Sequence, residues 1–273
     1  MKNTDTKKQI IAELKSAGIH SAEIDAQILL EFVTKKSREF LLANPEFELS
    51  DAEIKKLDNL INQRKKHYPI AYITGHKEFF GLDFFVDKNV LIPRPETEQL
   101  VETALNFLQT TNHQLPTILD VGTGSGNIII SLAKNVSGNF SASENSTSAL
   151  EVAKKNAAKH NVIIEFIMSD LFENITGKFD LIVANLPYVP ANGSNDEEIK
   201  HEPESAIFAN ENGQEIIKRF LNEAKDHLND DGLILLELDP RNAKSLATYA
   251  AKLFKNVEIL KDYSDKDRFL KIF

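Results

Sequence analysis

Strand-like and helical runs alternate from residue 97 onward, and this predicts an α/β fold with a mostly parallel, Rossmann-like sheet. Two further observations complete the expectation. Helical periodicity fills residues 7–68, which predicts a small all-helical domain, and an aromatic, glycine-containing run follows Tyr68-Pro69, which predicts a β-hairpin linker. The expected boundaries are 1–75 for the helical domain, 76–95 for the linker and 96–273 for the α/β domain.

In the helical part, Ile10, Ile11 and Leu14, then Ile24, Ile28, Leu29 and Phe32, recur at intervals that put apolar side chains on one helix face. Ser50-Asp51-Ala52-Glu53 has the form of a capping box ahead of Ile54, Leu57, Leu60 and Ile61. No residue here looks reactive, and Arg64-Lys65-Lys66 reads as a solvated helix face. The run Phe79-Phe80-Gly81-Leu82-Asp83-Phe84-Phe85-Val86 then suits a hairpin. In Ile92-Pro93-Arg94-Pro95-Glu96-Thr97-Glu98 two prolines stiffen the backbone, and acids open the next helix at its positive end.

Candidate strands are 117–121, 140–143, 163–168, 179–184 and 233–238, with helices 125–134, 148–159 and 214–228 among them, as in right-handed βαβ units. The last two apolar segments, 257–260 and 269–273, have no helix between them and can pair only as an antiparallel hairpin.

Composition excludes several classes of function. Lys+Arg 32 against Asp+Glu 41 leaves a net charge of −9, which argues against a surface built to neutralise a nucleic-acid backbone. The absence of cysteine removes disulfides, thiolate zinc sites and cysteine nucleophiles. Histidines 20, 67, 76, 113, 160, 201 and 227 never fall at the spacing of a ligand pair on one helix, so no metal is expected. No apolar stretch has signal-peptide or membrane-spanning length, so the expected location is the cytoplasm, with no membrane partner.

The segment Ile118-Leu119-Asp120-Val121-Gly122-Thr123-Gly124-Ser125-Gly126 is an apolar strand running into a glycine-rich turn, where a ligand can approach the main chain at a strand's carboxyl end. Its G-x-G-x-G spacing differs from the dinucleotide fingerprint and suits a ligand without a pyrophosphate. Glu144, ending the second strand, is placed to accept hydrogen bonds from ribose hydroxyls, and Asp170, after the third, to lie near an adenine edge. A further buried strand ends in Asn185-Leu186-Pro187-Tyr188. An asparagine oxygen and a neighbouring backbone carbonyl can accept both hydrogens of a planar NH₂ group while an aromatic ring stacks on its plane. Such groups are poor nucleophiles, so positioning against a methyl donor supplies most of the acceleration.

Together these elements resemble the class I S-adenosylmethionine-dependent methyltransferases. More narrowly, the chain is similar to the glutamine methyltransferases of peptide chain release factors, the PrmC/HemK family. The likeness runs through Pro69-Ile70-Ala71-Tyr72-Ile73-Thr74-Gly75, Glu78-Phe79-Phe80-Gly81-Leu82 and Leu91-Ile92-Pro93-Arg94-Pro95-Glu96-Thr97-Glu98. It continues through the glycine loop, Ala149-Leu150-Glu151-Val152-Ala153, Ser169-Asp170-Leu171-Phe172 and Glu202-Pro203. Pro-Arg-Pro-Glu-Thr-Glu is its most family-specific segment.

The resemblance implies a seven-stranded methyltransferase sheet and a helical domain that helps hold the release factor. The reaction it implies is methylation of the glutamine side-chain amide of a Gly-Gly-Gln loop, with S-adenosylhomocysteine as product. By carry-over, Gly122, Thr123, Gly124, Ser125, Gly126, Glu144, Asp170, Leu171 and Asn185 contact the cofactor. Asn185, Leu186, Pro187 and Tyr188 hold the glutamine, with Asn185 and Tyr188 catalytic, and Arg94 and Glu96 brace the linker. The expected partner is a release factor, with no specific nucleic acid, and the protein is expected to be a monomer.

Two positions depart from the family pattern. Leu186 stands where the family has proline, which restores an N–H donor and relaxes φ, and Glu144 stands where aspartate is usual, which adds a methylene. The rival readings are a methyltransferase acting on an exocyclic amine of a DNA or RNA base, a non-catalytic S-adenosylmethionine-binding adaptor, and a nicotinamide-dependent dehydrogenase. Net charge opposes the first. The glycine spacing and Asn185 to Tyr188 oppose the last.

Overall fold

The computed structural model describes residues 2–110, 115–190 and 196–273, so His113 lies outside the described residues. The chain forms two compact units: Met1–Gly75 with Glu197–His201, and His76–Asp196 with Glu202–Phe273.

The first unit packs helices Asn3–Ser16, Ala22–Thr34, Arg38–Ala43, Asp51–Arg64 and Ile70–Thr74 around Ile10, Leu14, Leu29, Leu30, Leu57 and Ile61. Ser50 and Glu53 form the expected capping box at the start of the helix Asp51–Arg64. In the helix Ala22–Thr34 the buried stripe runs through Ala22, Ala26, Leu29, Leu30 and Val33. Ile24, which the periodicity counted in the apolar face, lies off that stripe and is 65% exposed.

Arg64 corrects the sequence reading. It is 1% exposed because it continues the stripe of Leu57 and Ile61 on its helix, and of the three basic residues only Lys66 is exposed. Burial of a guanidinium demands partners. Its Nε donates to Asp25 at 2.7 Å, itself buried, and its Nη2 donates to Glu198 at 2.5 Å.

The second unit begins with a hairpin of β1 (His76–Phe79) and β2 (Leu82–Phe85). Its two-residue turn places Phe80 at φ 52° and Gly81 at φ 70°, the left-handed pair that matches strand twist. Glu98 receives the Phe80 N–H at 2.9 Å, which helps hold a bulky residue in that conformation. Asn156 bonds both the N–H and the C=O of Phe85 and also donates to the Ser125 carbonyl at 2.8 Å, so the hairpin and the glycine turn share one buried side chain.

The remaining strands are β3 (Thr117–Val121), β4 (Asn139–Glu144), β5 (Glu165–Met168), β6 (Phe179–Asn185), β7 (Val189–Pro190), β8 (Phe208–Ala209), β9 (Leu228–Glu237), β10 (Val257–Lys261) and β11 (Asp267–Ile272). Seven of them form one sheet in the order β10-β11-β9-β6-β3-β4-β5. The pairs among β5, β4, β3, β6 and β9 are parallel, and β11 runs antiparallel to both β9 and β10, as the missing C-terminal helix predicts. Alternation along β6 sends Ile182 and Ala184 to a core with Phe220 and Leu221, and Leu181 and Val183 to one with Val101 and Ile129. From β3 the chain moves outward through β4 and β5, then returns to the other side of β3 as β6. Such a reversal leaves a crevice at the carboxyl ends of the two central strands.

Candidate active site

A pocket of about 980 Å³, counting its open mouth, occupies that crevice. Gly122, Thr123, Gly124, Ser125, Glu144, Asp170, Leu171, Asn185, Leu186 and Pro187 all line it. Gly126 and Tyr188, also singled out from sequence, are not among the lining residues.

The glycine turn follows β3. Gly122 and Thr123 both donate their N–H groups to the Ser143 carbonyl, at 2.9 and 3.0 Å, which bends the chain away from β4. Gly122 takes φ +74°, and a Cβ there would stand 2.9 Å from Cδ2 of Leu186. At Gly124 a Cβ would meet nothing within 4 Å, so the main chain is bare toward open space. Glu144 supports the turn from β4: its carboxylate accepts from the Gly124 N–H at 2.9 Å and from the Ser146 N–H at 3.0 Å. Each oxygen keeps a second lone pair for another donor. Beneath the turn Asp120, wholly buried, accepts from the Thr123 hydroxyl at 2.7 Å, and burial pushes its carboxyl up to about 7.

On the other wall Asp170 is half-buried and paired with Arg219 at 2.9 Å, a partner that sequence did not indicate. Leu171 beside it takes φ 49°, a rare conformation for a branched side chain. Arg94 pairs with the buried Glu202 at 2.5 Å, and Glu202 also accepts the Ile92 N–H at 2.9 Å. The linker's exit is therefore held at the pocket wall, which Arg94 lines.

The centre of the site is a network around Glu237. This acid ends β9 directly opposite Asn185 at the end of β6 and is 1% exposed. Its carboxylate accepts from the Thr97 hydroxyl at 2.7 Å, the Asn185 Nδ2 at 3.1 Å and the Tyr188 hydroxyl at 3.0 Å. Asn185 Nδ2 also donates to the Thr97 oxygen at 3.1 Å. Burial raises the Glu237 carboxyl above its ordinary range against the pull of these donors and of Arg268. Burial, with the Glu237 charge, also pushes the Tyr188 phenol well above its usual value, so this hydroxyl remains a donor. Sequence reasoning missed Glu237, although an acid inside the apolar run Leu233-Ile234-Leu235-Leu236-Glu237-Leu238 is a legible anomaly. Gly213, at φ +86°, packs against the Tyr188 carbonyl so closely that a Cβ would stand 1.9 Å from its oxygen.

Two family models match parts of the chain. Residues 5–75 match the PrmC N-terminal domain and residues 98–202 the methyltransferase small domain. The release factor glutamine methyltransferase of Deinococcus radiodurans is 36% identical over 275 residues, covering 99% of this chain and 98% of that protein. The chain belongs to the release factor glutamine methyltransferase family. The family member of Haemophilus influenzae is likewise 36% identical over 276 residues, covering 95% of this chain and 94% of its own. In fold, the chain resembles a methyltransferase from Pyrococcus furiosus, with a TM-score of 0.52 at 22% identity over 81% of this chain and 97% of that one. The protein is thus an α/β methyltransferase. Among the described residues no group of three or more His, Asp or Glu side chains could hold a metal, and no helix is long and apolar enough to cross a membrane.

Proposed function

We propose that this chain methylates the side-chain amide nitrogen of the glutamine in the Gly-Gly-Gln loop of peptide chain release factors, using S-adenosylmethionine. Family membership supports the reaction. The observation that carries it to named atoms is the lock on Asn185, whose two amide hydrogens point at Thr97 and Glu237. Among the described residues its Oδ1 has no hydrogen-bond partner, which leaves an acceptor on the amide edge away from Glu237, in a residue that lines the pocket.

The pocket suits S-adenosylmethionine on its own terms: bare main chain at Gly124 and an acid at Glu144 with lone pairs to spare. In this reading Gly122 to Gly126, Glu144, Asp170, Leu171 and Asn185 hold it. The chemistry that it supplies when bound is an electrophilic methyl on a sulfonium, with S-adenosylhomocysteine as product. Asn185 Oδ1 and the Leu186 carbonyl accept the two N–H hydrogens of the glutamine amide. They orient its nitrogen and stabilise the positive charge that develops there, until one proton passes to water. Pro187 lines the pocket beside the amide, and Tyr188, tied by its hydroxyl to Glu237, holds the segment that carries it. The helical unit receives the body of the release factor.

The test is mass spectrometry of a release factor from the same organism after incubation with the protein and S-adenosylmethionine. A single methyl increment on the Gly-Gly-Gln peptide, lost in Asn185→Ala, is expected. Absence of the increment with cofactor binding intact by calorimetry would overturn the reading.

A further inference from the structure

We propose that Glu237 is the positioning residue that selects the amide orientation of Asn185, and through it the preference of the site for a substrate that brings N–H donors. The inference rests on the functional reading above for its substrate but stands on geometry of its own.

An asparagine side chain is nearly symmetric in shape, and rotation by a half-turn exchanges an acceptor for a donor at the same place. What decides between the two states is the neighbour on the other edge. Here that neighbour is the Glu237 carboxyl group, buried at 1% exposure, and both of its oxygens already accept: Oε2 from Thr97 and Asn185, Oε1 from Tyr188. Rotating Asn185 would bring its oxygen against Glu237 Oε2, now 3.1 Å from Nδ2, and against the lone-pair side of Thr97, whose proton already goes to Glu237 at 2.7 Å. Three groups would lose partners in a buried place, where an unsatisfied polar group is costly. The donor direction therefore runs one way around the ring: Asn185 gives to Thr97 and Glu237, and Thr97 and Tyr188 give to Glu237.

The consequence lies at the pocket. With Nδ2 committed, Asn185 offers Oδ1, which welcomes an amide NH₂ and repels a carboxylate. A glutamine can use that acceptor and a glutamate cannot, so Glu237, though it touches no substrate, sets the chemical class that the site takes. The strand register makes this possible, because Glu237 and Asn185 are direct partners across β9 and β6.

Replacing Glu237 by glutamine tests the idea, since the shape is kept and one of the two accepting oxygens becomes an NH₂ donor. The side-chain NH₂ resonances of Asn185, followed by ¹⁵N NMR, are expected to shift and to exchange faster with solvent in Glu237→Gln. The kcat for release-factor methylation is expected to fall at least tenfold, and by more than the affinity for S-adenosylmethionine measured by calorimetry. In the double variant Asn185→Asp with Glu237→Gln, the amide introduced on β9 donates to a carboxylate whose other oxygen faces the pocket. This double variant is expected to recover at least tenfold over Asn185→Asp alone. A merely structural role for Glu237 predicts no such rescue. Thr97→Val, nearly isosteric, gives the same direction with a smaller loss if Glu237→Gln does not fold. Unchanged Asn185 resonances in both variants, or a double variant no better than Asn185→Asp, would overturn the proposal. Failure of the wild-type protein to methylate a release factor, with Asn185 resonances that still respond to Glu237→Gln, would remove the functional reading and leave the positioning role in place.

Discussion

Leu186 covers the turn at Gly122: its Cδ2 lies 2.9 Å from the place a Cβ on that glycine would occupy, and the leucine itself is only 4% exposed. The side chain that stands where the family has proline is thus part of the core, joined to Val121, Leu171 and Ala184. A substitution read from sequence as a loss of stiffness is, in the fold, a packing contact between the two loops that form the pocket.

Gly122→Ala is therefore expected to weaken binding of S-adenosylmethionine more than tenfold. A Cβ meets Leu186, and a left-handed φ costs a non-glycine residue about 1–2 kcal/mol. Truncating Leu186 to alanine in the same chain removes the clash and recovers part of that loss, at a stability cost of about 2–5 kcal/mol for the buried leucine. Isothermal calorimetry measures the first effect and chemical denaturation the second. An unchanged affinity in Gly122→Ala would show that the turn does not carry the ligand.

In the helical unit, Arg64→Ala leaves the buried Asp25 carboxylate without its guanidinium, and a loss of about 3–5 kcal/mol is expected. Removing both charges, as Arg64→Met with Asp25→Leu, is expected to cost much less than Arg64→Ala, because nothing charged is then left buried. Urea unfolding of the three proteins decides it. Equal losses would mean that the arginine acts through its stem and not its charge.

Asp120 makes stability depend on pH in a stated direction. Its folded-state carboxyl is raised to about 7, above its ordinary value near 3.8, so the folded chain holds a proton that the unfolded chain has released. The contribution is complete below about pH 4 and is lost as pH rises toward 7, a change on the order of 4 kcal/mol. Glu237, raised by burial, acts in the same direction, whereas the lowered carboxyls of Glu13, Asp239 and Asp262 act at more acid pH. The melting temperature is expected to fall between about pH 4 and pH 7, with a shallower slope in Asp120→Asn. Parallel slopes for the two proteins would refute the assignment.

Much of the molecule was legible in the chain itself, because the signals are local. Helical spacing, the capping box at Ser50, the glycine turn after residue 121 and the antiparallel end each depend on neighbours a few residues apart. The pocket-lining residues could be named for the same reason, since strand ends gather in one crevice once the strands are parallel.

What only the tertiary structure decided are the partners of buried charges. Arg64 reads as one more basic residue until Asp25, 39 residues away, and Glu198, 134 residues away, stand against it. Glu237 reads as an acid misplaced in a strand until Thr97, 140 residues away, and Asn185, 52 away, give it their hydrogens. The sequence by itself determined where the backbone turns and which faces are apolar, since covalent neighbours set those. Which edge of an amide faces the pocket depends on groups brought together from distant strands, and a hydrogen bond has a direction that only the assembled geometry reveals.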